Sequence, residues 1–344
     1  MNKIQIEEFF DADKERPLSL VYLQCKNQPN EREIMTKYCL ETNEPANQRV
    51  ALEYLYSNGL FQQLGILIEK NRQSDNKDNQ MWGKMYQILC ERKKIATKQL
   101  KPSTPWKHLN AIERLKIEDD NYPILLLKSL IYIYTFFDSN QYGKIGTYKA
   151  RINGYLSEIR DPLLHELFRM RINEILLVYH WKRNELILSR KYGYELLNTL
   201  SNKRKIIDVH NILAQGYLFE SYEQSYSHVT SALAIAESIQ YERAIYGISN
   251  YTLPFISSYH GETQGITTED YAEKAHVALA NGDRNTCIRL LEKIEDKTPF
   301  QDYYLGKAKR DKDLLVNSYR RFIEERDDYF YARLPLEALK ELDI

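Results

Sequence analysis

Apolar residues recur every three or four positions through most of this 344-residue chain. That is the spacing of an amphipathic helix rather than the alternation of a strand. The clearest stretch is residues 267–296, TTEDYAEKAHVALANGDRNTCIRLLEKIED. Thr267 and Asp270 read as an N-terminal cap, with the acidic residue at the positive end of the helix. Tyr271, Ala275, Ala278 and Leu279 then fall on one face. Asn281-Gly282 suits the left-handed backbone that ends a helix. Asp283 can cap the next helix, whose apolar face is Cys287, Ile288, Leu291 and Ile294. Two short amphipathic helices joined by a tight turn make a tetratricopeptide-type hairpin.

The same plan repeats over 161–200, with a turn near Lys182–Asn184, over 203–238, with a turn near Glu220–Tyr222, and over 303–325. The turns are spaced irregularly, by about 28 to 60 residues against the 34 of a strict array, so the repeats are degenerate. Nearer the N-terminus, 30–42, 47–70 and 79–94 read as successive helices. The polar stretch Asn71–Asn79 reads as a loop, and Lys101–Trp106, with Pro102 and Pro105, as a loop and flexible joint. Ser257–Gly265 reads as a second break. The expected fold is all-α, a tetratricopeptide-like solenoid of helical hairpins. Its expected parts are a short segment 1–30, an N-terminal helical region 31–101, helical repeats 106–256, and C-terminal repeats with a cap over 266–344. The concave face of such a stack is a long groove suited to a peptide.

Composition narrows the function. With 43% hydrophobic and 28% charged residues the chain is ordinarily globular, and 13 Gly with 10 Pro leave few helix breakers. Lys+Arg and Asp+Glu are both 48, which gives no support to a dedicated nucleic-acid-binding domain. The longest apolar run, Ile124–Phe137, is interrupted by Lys128 and falls short of the roughly 20 residues of a membrane span. No apolar signal core opens the chain, which reads as a cytoplasmic protein with no membrane partner. The 27 Tyr suit grooves and interfaces, where a ring is buried and a hydroxyl stays at the water edge.

Candidate chemistry is sparse. Cys25, Cys39, Cys90 and Cys287 form no CxxC pair, and the seven His have no HExxH spacing, so no metal and no cofactor is expected. Residues 143–149, GKIGTYK, lack the phosphate-loop arrangement. Asp119-Asp120 and Asp327-Asp328 fit helix starts better than acid–base pairs. No catalytic residue is assigned, and the chain reads as a non-enzyme. Basic runs at Arg92–Lys94 with Lys98 and Lys101, at Lys203–Lys205 and at Lys307–Arg310 read as solvated helix ends or as a surface for an anionic partner.

Several stretches together resemble the AimR family, the arbitrium peptide receptors of temperate phages, from about Glu31 to the C-terminus. They are Tyr38-Cys39-Leu40, Ala51-Leu52-Glu53-Tyr54, Trp82-Gly83-Lys84-Met85-Tyr86, Gly216-Tyr217-Leu218-Phe219 with Tyr222, Tyr303-Tyr304, and Tyr329-Phe330 before Leu334-Pro335-Leu336. The resemblance implies an intracellular receptor for a short phage-encoded peptide that regulates the lysis–lysogeny decision through transcription. It implies a homodimer formed partly through the C-terminal helices. It places Arg204, Gln215, Glu273 and Asp328 in the peptide groove, Glu273 toward a basic peptide residue and Asp328 toward the peptide's amino end. Charge-assisted hydrogen bonds of that kind are about twice as strong as neutral ones. Family Asn positions correspond here to Val178, Lys182 and Lys297, so the peptide recognised should differ. The family's helix-turn-helix domain has no counterpart in residues 1–30, which leaves DNA contact open between truncation and natural absence. The competing reading is a helical-repeat adaptor that binds a protein partner through its tyrosines.

Overall fold

The computed structural model describes residues 15–98, 109–110 and 112–342. Among them there are helices and connecting turns, and no β-strand. They divide into two compact units, one reaching Ser139 with Lys144–Ile172 added, the other Asn140–Gly143 with the chain from Asn173 onward.

The first unit holds α1 (Leu18–Cys25), α2 (Glu31–Glu41), α3 (Pro45–Ser57), α4 (Phe61–Arg72), α5 (Lys77–Lys98), α6 (Tyr122–Asp138), α7 (Lys149–Ser157) and the start of α8 (Pro162–Lys182). The apolar pattern over 47–70 continues through Asn58-Gly59, yet the chain breaks there into α3 and α4. Gly59 takes φ +70°, a backbone state open to glycine at little cost. The stretch Asn71–Asn79 is mostly helical rather than a loop, because α4 runs to Arg72 and α5 starts at Lys77. The joint expected at Lys101–Trp106 lies outside the described residues.

The core of this unit contains a buried charge pair. Glu53 and Arg171 are 0% and 1% exposed, with Arg171 Nη1 2.5 Å from Glu53 Oε2. Ser57 donates to Glu53 Oε1 at 2.5 Å and Tyr86 donates to Oε2. The Arg171 guanidinium lies 4.6 Å from the Tyr56 ring centre and its Nε donates to the Tyr134 hydroxyl at 3.1 Å. Burial, the largest influence, pulls the arginine toward neutrality, but Glu53 together with Tyr134, Tyr56 and Tyr86 more than offsets it and holds Arg171 ionised. A buried pair kept this way is held by the cost of breaking it.

The second unit continues α8 and adds α9 (Leu186–Thr199), α10 (Lys203–Gly216), α11 (Tyr222–Ser238), α12 (Glu242–Gly247), α13 (Leu253–His260), α14 (Tyr271–Ala280), α15 (Arg284–Leu291), α16 (Pro299–Lys309), α17 (Lys312–Glu324) and α18 (Arg333–Leu342). Successive helices pack against one another as hairpins. Their turns use the residues that the chain pattern singles out. Asp283 caps α15 through Thr286 N, and Gly282 takes φ +82° before it. Where α9 meets α10, a Cβ on Gly193 would stand 2.7 Å from the Leu213 side chain, so only glycine permits that approach.

Ser257–His260 is not part of a break. Ser257 and Ser258 are buried within α13, and the turn begins at Gly261. A single π-turn, Ile248–Thr252, joins α12 to α13. Pro254 has no amide hydrogen, so the carbonyl of Asn250 loses its i+4 donor. The Thr268 hydroxyl takes that carbonyl at 2.8 Å, and Asn250 Oδ1 accepts Glu269 N at 2.7 Å. The segment leading into α14 is thereby tied to the bulge.

Glu53→Gln should destabilise the chain by about 3–5 kcal/mol, the cost of leaving a buried arginine without its counter-charge. In a double-mutant cycle, Glu53→Leu with Arg171→Met should cost less than the sum of the single changes. Urea unfolding of the parent, Glu53→Gln, the two single variants of the cycle and the double variant checks both.

Candidate functional site

The four residues singled out by resemblance sit in the second unit. Glu273 lies in the first turn of α14, where the Asp270 side chain accepts Ala272 N at 2.9 Å and Glu273 N at 3.0 Å. It is 8% exposed. Its Oε1 accepts the Tyr304 hydroxyl at 3.0 Å, and Oε2 lies 3.4 Å from His276 Nδ1. The His276 and Tyr304 rings stack at 4.1 Å between centres, 18° from parallel. Burial, then the Glu273 charge, raises the Tyr304 hydroxyl well above the usual phenol range, so Tyr304 donates and stays neutral. Among the described residues, no lysine or arginine pairs with Glu273.

Asp328 is 2% exposed. Lys182 Nζ stands 2.5 Å from its Oδ2, and Tyr331 N donates to Oδ1 at 3.0 Å. The ammonium lies over two rings, 4.1 Å from Trp181 and 4.9 Å from Tyr331, where the negative faces of the rings favour a cation. The Lys182 carbonyl ends α8 by accepting Tyr329 N at 2.8 Å and Phe330 N at 3.3 Å. One residue thus holds the segment before α18 through both its main chain and its side chain.

Tyr331 joins the two carboxylates. Its ring packs on Trp181, Phe255, Phe300 and Phe330, and its hydroxyl donates to Gln215 Oε1. Burial first, then the charges of Asp328 and Glu273, hold the hydroxyl proton far above its ordinary range. The structure therefore brings Gln215, Glu273 and Asp328 together around Tyr331.

Arg204 is not among them. It is exposed in the first turn of α10, with its guanidinium 4.7 Å from the Tyr241 ring centre. Gln215 is eleven residues further along the same helix, about 16 Å at 1.5 Å per residue.

Lys182, His276, Tyr304 and Tyr331 escaped assignment as site residues. Glu273 and His276 share an i, i+3 face that the chain pattern displays. The Lys182–Asp328 contact spans 146 residues and has no local signature. Of the expected basic surfaces, Arg92 pairs with Asp138, Lys205 with Glu174, Lys307 with Glu341 and Lys309 with Glu292. A cavity of about 900 Å³ in the first unit, bordered by Glu44, Asp78, Trp82, Glu118, Tyr122 and Glu158, includes none of the four residues. No helix among the described residues is long and apolar enough to cross a membrane.

Comparisons with known proteins give the family and the fold. The profile of the family described as AimR transcriptional regulator-like matches residues 31–341. An uncharacterized Bacillus anthracis protein, pXO2-35, is 25% identical over 230 residues, covering 64% of this chain and 85% of that protein. The solved structure of phAimR with ligand superposes with a TM-score of 0.74 at 18% identity, covering 96% of this chain and 98% of that one. Selenomethionine phAimR gives 0.71 at 16% identity, covering 98% and 92%.

Lys182→Met should cost about 3–5 kcal/mol, because Asp328 is left buried and unpaired. Tyr331→Phe, which removes one hydrogen bond and leaves Gln215 Oε1 without it, should cost about 1–3 kcal/mol. Thermal unfolding at neutral pH should rank the two in that order.

Proposed function

We propose that this chain, which belongs to the AimR transcriptional regulator-like family, is a receptor for a short phage-encoded signalling peptide and regulates the lysis–lysogeny decision through transcription. The observation that carries the reading is Glu273. It is a buried carboxylate whose partners are a neutral phenol and an imidazole. A buried anion without a matching cation is costly, and a guanidinium or ammonium from a ligand removes that cost through charge-assisted hydrogen bonds. Tyr331 and Gln215, hydrogen-bonded to each other, are polar groups able to take a peptide backbone.

Asp328 plays a different part in the same proposal. Its acceptor positions are filled by Lys182 and Tyr331 N, so a peptide amine at Asp328 must compete with an internal ammonium. Arg204, exposed at the far end of α10, serves the peptide only where the ligand extends beyond the Tyr331 cluster. Dimerisation through the C-terminal helices belongs to the proposal too, and Val316 on α17 and Leu336 on α18, 52% and 38% exposed, are apolar side chains available for it.

The adaptor reading retains one supporting observation: Tyr226, Tyr246, Tyr251 and Tyr271 are all exposed in the second unit. Co-purification of a stoichiometric protein partner, lost when these tyrosines are changed, is its expected signature.

The test of the receptor reading is titration calorimetry with the synthetic mature peptide of a small reading frame neighbouring the gene. The expected outcome is saturable heat, with Glu273→Ala weakening binding by about 2–5 kcal/mol, the usual loss when one partner of a buried charge pair is removed. Heat that is absent, or unchanged by Glu273→Ala, overturns the reading.

A further inference from the structure

Outside the Tyr331 cluster, the α10–α11 hairpin places two imidazoles face to face. His210 and His228 approach with their Nδ1 atoms 2.9 Å apart and ring centres 5.1 Å apart, 46° from parallel. They come from different helices, and both rings are half-buried. The outer nitrogen of His228, Nε2, lies 3.1 Å from the Tyr194 hydroxyl, which in turn lies 3.0 Å from the Tyr217 hydroxyl. The Tyr217 ring stacks on His228 at 9° from parallel. Arg190, 3.9 Å from the centre of the Tyr217 ring, is held by Glu220 at 2.7 Å. Among the described residues no carboxylate bonds to either imidazole.

We propose that His210 and His228 form a two-imidazole site for a divalent transition-metal ion of the copper or nickel type, linking α10 to α11. Geometry selects the metal class. Nitrogen ligands stand about 2.0–2.1 Å from such ions, so two of them at a right angle are about 2.9 Å apart and two at a tetrahedral angle about 3.3 Å apart. In the free pair the 2.9 Å spacing is that of a hydrogen bond; it is also short enough for the two nitrogens, once tilted, to take neighbouring positions in the tetragonal shell that copper(II) and nickel(II) favour. The rings now point at each other, so each must tilt for both lone pairs to meet one ion.

Tyr194 supplies the outer contact that ligating histidines normally have. An Nε2–H on His228 donates to the Tyr194 oxygen and leaves the Nδ1 lone pair inward. Without metal, one Nδ1 carries a hydrogen and donates to the other. With metal, that hydrogen moves to Nε2 of His210, and the ring stays neutral. Among the described residues no set of three or more His, Cys, Asp or Glu side chains converges. Water therefore completes the shell, and the ion exchanges freely rather than holding the fold. The same series of intrinsic affinities ranks copper(II) above nickel(II) and zinc(II).

The experiment titrates the full chain with copper(II) chloride and separately with nickel(II) chloride, followed by calorimetry and by electron paramagnetic resonance of the copper form. One copper ion per chain is expected, with splitting from two nitrogens. His210→Asn and His228→Gln, which keep polar side chains in place, should each weaken binding at least tenfold and abolish the two-nitrogen pattern. Copper should raise the melting temperature of the parent chain and not of either variant. Tyr194→Phe should weaken binding less than loss of either imidazole. Equal affinity and an unchanged spectrum in both histidine variants would place the copper on other groups and overturn the site. An absence of binding at tens of micromolar copper overturns it as well and leaves a neutral hydrogen-bonded pair.

Discussion

A lysine ammonium held between a carboxylate and two aromatic faces fixes the C-terminal part of the second unit. Lys182 closes α8 with its carbonyl and closes the charge of Asp328 with its side chain. Because both contacts belong to one residue, the segment at Asp328–Tyr331 has a single place to sit. Tyr331 then stands in the middle of Trp181, Phe255, Phe300 and Phe330, and its hydroxyl reaches Gln215. The placement of Gln215 beside Asp328 follows from that one anchored aromatic side chain. A cation over aromatic faces is stronger where water is excluded, and Lys182 is in that condition.

The two buried carboxylates of the cluster have opposite electrostatic situations. Asp328 is neutralised from within the chain, whereas Glu273 meets the Tyr304 hydroxyl and the His276 ring and, among the described residues, no lysine or arginine. The first arrangement contributes to the fold, and the second leaves a preference for positive charge unspent. The first unit solves the same problem in the first manner, with Glu53 closed by Arg171. Basic side chains thus close the buried carboxylates of Glu53, Asp302 and Asp328, and among the described residues no lysine or arginine does so at Glu273.

Much of the fold was legible in the chain, and the failures have physical causes. Hairpins at 267–296 and 303–325 announce themselves because their caps and turns are encoded locally, by Asp270, Asp283 and Gly282. The break at Asn58-Gly59 was hidden because the apolar spacing of α3 runs on in phase into α4. Ser257 and Ser258 looked like loop residues by composition, yet packing buries them inside α13. For the site, resemblance supplied Gln215 and Asp328, both bonded to Tyr331, Glu273, bonded to Tyr304, and Arg204, which lies at the other end of α10 from Gln215. Position along a helix separates Arg204 from Gln215, and no residue type reveals that. Lys182 was visible only as the substitute for an asparagine. That its ammonium would turn to Asp328 depends on a contact across most of the unit.

Proline is usually counted as the end of a helix, but Pro254 works here as a vacancy that another segment fills. The carbonyl of Asn250 is open to Thr268 only because no amide hydrogen competes for it. Positions 254 and 268 are thus coupled through a single acceptor. In related chains they should change in concert: where the proline gives way to a residue bearing an amide, the hydroxyl at 268 loses its purpose and drifts, and the approach to α14 must be secured by some other means.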